Sequence, residues 1–194
     1  MYLSIMSILN QKTLTRSVKF KGVGLHTGKN VSMTIYPSKP NTGITFKRID
    51  LKNNNIILPN VYNVTNATLC TTVSNDYGVS VSTIEHLMGA LYGLGVDNAL
   101  VEIDSQEVPI MDGSAKVFVE KFLEVGFDTS EIPIKLIKIT NKVEIKDGSK
   151  YIRIDKSNVS LDIDFEINFS NPLIGNQKNK INIYENDLSD IYNS

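Results

Sequence analysis

The sequence predicts an α+β fold of two similar sheet-plus-helices domains, the second incomplete. Three observations carry this. Apolar residues recur at every second position in several short segments, the period of half-buried strands. Two segments, opening near Ser82 and Ser114, carry apolar residues at helical spacing. After Pro133 the strand pattern resumes, and only residues 182–194 offer a further helix. A chain of 194 residues, 41% of them hydrophobic, has the size to bury a core. The expected division is a complete N-terminal domain over residues 1–132 and the first strands of a second over residues 133–194.

The first nine residues are apolar, but no basic residue precedes them and no small-residue cleavage pattern follows. They read as an extension leading into a first strand. Residues 13–20 and 30–36 alternate, with Val31, Met33 and Ile35 on one side and Ser32 and Thr34 on the other. Between them lies a turn-rich connection, Gly22-Val23-Gly24-Leu25-His26-Thr27-Gly28. Its G-x-G-x-x-x-G spacing and the strand after it argue against a dinucleotide-binding loop, which needs G-x-G-x-x-G and a helix. Residues 37–43 are a turn and 44–49 a further strand.

Ser82 and Glu85 have the S-x-x-E spacing of a capping box at a helix start. Ile84, Leu87, Met88 and Leu91 then face the core, and Gly93 and Gly95 end the helix. Residues 98–103 form a buried strand. The turn at 109–114 feeds a second helix, with Ser114 as its cap and Phe118, Val119, Phe122 and Leu123 as its apolar face. Gly126 closes that helix, and Glu131-Ile132-Pro133 reads as a boundary. Beyond it, residues 143–145 and 151–154 make a hairpin through Asp147-Gly148. Leu161, Ile163, Phe165, Ile167 and Phe169 alternate as a long strand. The apolar side of these later strands has no helix to cover it, which points to an incomplete domain.

Cys70 is the only cysteine, which rules out an internal disulfide and argues against a stapled secreted scaffold. No apolar run reaches the ~18 residues of a membrane span, and the default location is the cytoplasm. No zinc-finger spacing or aromatic-interleaved basic motif suggests nucleic acid as a partner. Charge is uneven: eight Lys and Arg residues, and no Asp or Glu, precede Asp50. Such a segment faces either an anionic ligand, such as a nucleotide diphosphate, or solvent.

The chemistry centres on Thr83-Ile84-Glu85-His86-Leu87, in a chain with only two histidines. Adjacent helical residues diverge by about 100°, so Glu85 and His86 cannot stack like the ligands of H-E-x-x-H. Two readings stand. His86 binds a metal and Glu85 takes a proton from the metal's water. Or Glu85 is only a capping residue and His86 only a packed or surface histidine. His26 lies in the glycine-rich turn, where it is functional or simply exposed. Cys70 sits in an apolar, strand-like run and reads as a small buried residue. A ligand set of His26, His86 and Cys70 lacks any ligand-pair spacing. Asp112 is a turn residue unless its turn faces the cleft of His86.

The segments Gly22-Val23-Gly24-Leu25-His26-Thr27-Gly28, Val81-Ser82-Thr83-Ile84-Glu85-His86-Leu87, Gly95-Val96-Asp97-Asn98 and Glu107-Val108-Pro109-Ile110-Met111-Asp112-Gly113-Ser114-Ala115 closely resemble, in order and separation, the zinc-dependent UDP-3-O-acyl-N-acetylglucosamine deacetylases. The likeness runs from about Gln11 to at least Pro172. It implies two similar α+β domains with the active site between them. It implies hydrolysis of the N-acetyl group of a nucleotide-linked sugar, the committed step toward lipid A in Gram-negative bacteria. Under it His86 matches a zinc ligand, Glu85 the general base, and His26 a substrate-binding histidine near the site. The family's other two zinc ligands come from a helix of the second domain, and no residue here matches them. The expectation is therefore a chain lacking a C-terminal half and inactive alone. The alternative is a non-catalytic module that keeps the scaffold and binds a nucleotide sugar or a partner.

Overall fold

Bulky apolar strands in the first two thirds of the chain wrap around two short helices. The structure is a computed structural model that describes residues 9–157 and 161–182. The expected leading extension and final helix fall outside the described residues, apart from Leu9 and Asn182 at their edges. The chain divides into two compact units after Ile134. Together they are α+β, with two α-helices among the described residues.

The first unit contains β1 (Asn10–Leu14), β2 (Val18–Val23), β3 (Asn30–Pro37), β4 (Ile44–Arg48), β5 (Ile56–Ile57), β6 (Val64–Asn66), β7 (Thr72–Ser74) and β8 (Ser80–Val81). Helix α1 (Glu85–Gly93), β9 (Ala99–Ile103), α2 (Lys116–Val125) and β10 (Phe127–Pro133) complete it. The main sheet runs β2-β3-β9-β4-β5. β9 lies parallel to β4 and antiparallel to β3. A parallel neighbour demands a crossover, and the chain between β4 and β9 contains α1. The strands put Val18, Phe20, Val31, Met33, Ile35, Phe46, Val101 and Ile103 into one core with Leu87 and Leu91 of α1. From α2, Phe118 and Phe122 meet Phe20 in tilted and edge-to-face contacts, with ring centroids 5.0 and 5.9 Å apart.

Several expectations change. Residues 13–20 are not one strand: Thr15, Arg16 and Ser17 are exposed and break it. The Thr15 amide donates to Gly126 O, and β1 pairs with β10 while β2 joins the main sheet. Glu131, Ile132 and Pro133 lie in the end of β10, held to β1 through Pro133 and Asn10, just before the division after Ile134. Leu123 is 55% exposed, because the buried stripe of α2 is only Phe118, Val119 and Phe122. Ser114 lies just before the α2 cap, yet its hydroxyl still accepts from the Lys116 amide at 3.1 Å. The basic first segment is partly neutralised within the fold. Lys47 pairs with Glu102 at 2.9 Å, and Arg48 grips Asp50 through two nitrogens, at 2.8 and 2.6 Å.

The second unit's described residues form two antiparallel hairpins. One pairs β11 (Val143–Asp147) with β12 (Lys150–Ile154). The other pairs β13 (Asp162–Asn168) with β14 (Asn176–Asn182). Gly148 and Gly175 adopt φ of +58° and +57° at the two turns, where a side chain would be strained.

Candidate active site

Three separated segments meet at one buried carboxylate. Glu107 is wholly inaccessible. Its Oε1 accepts from the His26 amide at 2.9 Å and from the Thr83 hydroxyl at 3.0 Å. Its Oε2 accepts from the Thr27 amide at 2.9 Å. No ion pair reaches it among the described residues, so neutral donors, the Thr27 side chain among them, offset the loss of hydration. Burial pushes its pKa up, but the bonds from His26, Thr27 and Thr83 outweigh that and hold it below the ordinary glutamate value.

The loop is shaped to admit this carboxylate. Gly24 N donates to Lys29 O, and Gly28 N donates back to Gly24 O. A Cβ on Gly24 would lie 2.3 Å from Glu107 Oε2, so only glycine fits. On the other side, Ser82 N donates to Gln106 O and Val108 N to Ser82 O, a short parallel bridge. Arg48 Nη1 donates to Ser80 O at 2.9 Å and so anchors β8, which feeds that bridge.

The helix start differs from the capping box. Ser82 is taken up by its bridge to the Glu107 segment, and no side chain caps α1. The next residue, Thr83, is buried with φ of +56°. For a β-branched residue this is a true outlier, costing about 1–3 kcal/mol. It turns the chain into α1, so that Glu85 reaches outward to a neighbouring loop. Glu85 Oε2 accepts from the Thr71 amide at 3.0 Å. No described residue bonds Oε1, which leaves that oxygen available as an acceptor. His86, next along the helix, is half-buried, and no hydrogen bond from the described residues reaches its ring.

The other candidates separate. The His26 backbone is fixed by Glu107 while the residue itself is exposed. Cys70 is half-exposed and precedes β7 instead of lying within a buried strand; its sulfur sits 3.9 Å from Thr72 Oγ1. It adjoins Thr71, the partner of Glu85. Asp112 accepts from the amide and hydroxyl of Ser114, at 3.0 and 2.9 Å, and these bonds lower its pKa. It is committed to its own turn. No group of three His, Cys, Asp or Glu side chains able to hold a metal exists among the described residues. They therefore do not form a complete zinc site. Glu107 is the residue that pattern reading passed over. It lies inside a quoted motif, but a charge buried by partners about 80 positions away leaves no local periodic signal.

The family profile of the UDP-3-O-acyl N-acetylglycosamine deacetylases matches residues 11–192. The chain belongs to this family. A deacetylase of that name from Nautilia profundicola is 47% identical over 174 residues, 90% of this chain and 58% of the relative. Those of Pseudoalteromonas atlantica and Haemophilus influenzae are 42% and 41% identical, over 86% and 87% of this chain and 55% of each relative. The chain thus spans little more than half the length of the deacetylases it matches. No helix among the described residues is long and apolar enough to cross a membrane.

Proposed function

We propose that this chain carries part of the active site of a zinc-dependent deacetylase. That enzyme hydrolyses the N-acetyl group of UDP-3-O-acyl-N-acetylglucosamine, the committed step of lipid A synthesis in a Gram-negative cell. A nucleotide-linked lipid precursor as substrate puts the work in the cytoplasm. The observation that carries the reading is Glu85, tethered at one oxygen by Thr71 and beside His86, in a chain of this family. Glu85 is the general base: its untethered oxygen takes a proton from the attacking water. His86 is one zinc ligand, and His26 meets the substrate from its exposed loop. Zinc supplies Lewis acidity when bound, but it needs about three protein ligands and an open position. The described residues present no such set, which supports the reading of a chain that is inactive alone and holds zinc weakly.

A chimera tests this. Residues 11–172 of this chain replace the matching segment of the Nautilia profundicola relative, and acetate release from the UDP-linked substrate is followed. The chimera should turn over, and Glu85→Gln should cut kcat by about 10²–10⁴-fold. A folded, inactive chimera that still binds the substrate would favour the alternative, a non-catalytic nucleotide-sugar-binding module. The lack of a three-ligand group among the described residues is what keeps that alternative open. On the isolated chain, metal analysis after dialysis should find substoichiometric zinc, and His86→Ala should abolish what remains. Tight zinc in the isolated chain would sink the claim that it is inactive alone.

A further inference from the structure

We propose that Glu107 is a positioning residue: it couples the His26 loop to the strained turn at Thr83 and thereby fixes how Glu85 and His86 leave the scaffold. The catalytic meaning of this coupling rests on the function proposed above, but the coupling does not.

Glu107 touches neither Glu85 nor His86. It acts through Thr83, two residues before Glu85, whose hydroxyl it accepts at 3.0 Å. Thr83 stands at φ +56°, where a β-branched residue does not rest unaided. The parallel bridge of Ser82 to Glu107 fixes one end of this turn, and the hydroxyl bond fixes its middle. The second carboxylate oxygen is spent on Thr27, so the same side chain holds the His26 loop. A carboxylate is required. All groups facing it are donors, and an amide in its place would turn an NH2 toward the Thr27 or His26 amide. A neutral glutamine therefore breaks one arm while keeping size and shape. Gly24 supplies the room, since any Cβ there would strike both Glu107 and the Thr27 hydroxyl.

Two reporters test this in the chain itself. The Thr71 amide reads the placement of Glu85, because it donates to that carboxylate. The ring signals of the only two histidines read His86 and His26 separately by NMR. Thr83→Ala removes the hydroxyl and leaves the left-handed strain, whereas Thr83→Ser keeps the hydroxyl. Thr83→Ala and Glu107→Gln should speed exchange of the Thr71 amide about tenfold or more and shift the His86 ring signals. Thr83→Ser should leave both near wild type. In a Thr83→Ala background, Glu107→Gln should add little to the Thr71 exchange rate or to the His86 ring signals. The inference is overturned if Thr83→Ala and Thr83→Ser behave alike. It is also overturned if Glu107→Gln disturbs only the His26 and Thr27 amides. Should Glu107→Gln not fold, the Thr83 pair still decides. In the chimera, Glu107→Gln should lower kcat about a hundredfold, whereas Thr83→Ala, which leaves the His26 loop bonded, should lower kcat with KM held. If the NMR coupling is present while Glu85→Gln leaves turnover intact, the proposed function fails and the coupling stands.

Discussion

The two units of this chain use similar strand patterns to different ends. Among the described residues, every buried hydrophobic residue of the core lies in the first unit, between Leu14 and Phe122. In the second, Val143, Ile145, Ile152, Ile154 and Phe165 sit on strands and stay exposed. Alternation is present in both, so alternation makes a strand but does not bury it. Burial in the first unit comes from α1 and α2, which bring Leu87, Leu91, Phe118 and Phe122 to the sheet. The described hairpins of the second unit have no helix of their own. A two-stranded hairpin is marginal in water without such cover.

Perturbing the two units should expose this contrast. The largest effect is expected for Phe122→Ala, which empties the site beneath Phe20. Urea unfolding should show a loss of about 3–5 kcal/mol. Gly24→Ala comes next, because its Cβ must push the Glu107 carboxylate off its donors. A loss of about 2 kcal/mol is expected, with the His26 and Thr27 amides losing protection from exchange. If Gly24→Ala is silent, the loop does not depend on the buried carboxylate. Acid gives a graded version of the same test. The pKa of Glu107 is depressed in the fold, so its stabilisation is complete above the unfolded value of about 4.3. It is lost as pH falls through the lower folded value. The gap in urea midpoint between wild type and Glu107→Gln should thus narrow on going from neutral pH into acid. A constant gap would mean that folding leaves the Glu107 pKa unshifted, and a gap that moves in favour of wild type in acid would mean that Glu107 is protonated in the fold. The smallest effect is expected for Phe165→Ala, on an exposed position of β13. It should change stability by no more than about 0.5 kcal/mol. A loss comparable to that of Phe122→Ala would erase the distinction between the units.

What the sequence made legible follows from the range of the forces involved. Helical spacing correctly placed Ile84, Leu87 and Leu91 in the core, because one face of one helix decides it. The β11 to β12 hairpin was readable from its Asp147-Gly148 turn. β14 was not: Asn176-Gln177-Lys178-Asn179-Lys180-Ile181-Asn182 has a single apolar residue and is a strand through its ladder with β13. The capping-box spacing at Ser82 and Glu85 was real but unused. A segment more than twenty residues onward claims Ser82, and the Thr71 amide claims Glu85. Glu85, His86 and His26 were singled out by residue type and family motif. Glu107, which the geometry makes central, was hidden because its partners are all distant in sequence.

That distance has a consequence for the order of folding. The bonds of Glu107 span separations of 81, 80 and 24 residues. These bonds wait until β2, β8 and the segment after β9 have come together. The left-handed turn at Thr83 is disfavoured until then. The aim of Glu85 and His86 is therefore set by contacts made across 24 to 81 residues and not by the helix that carries them.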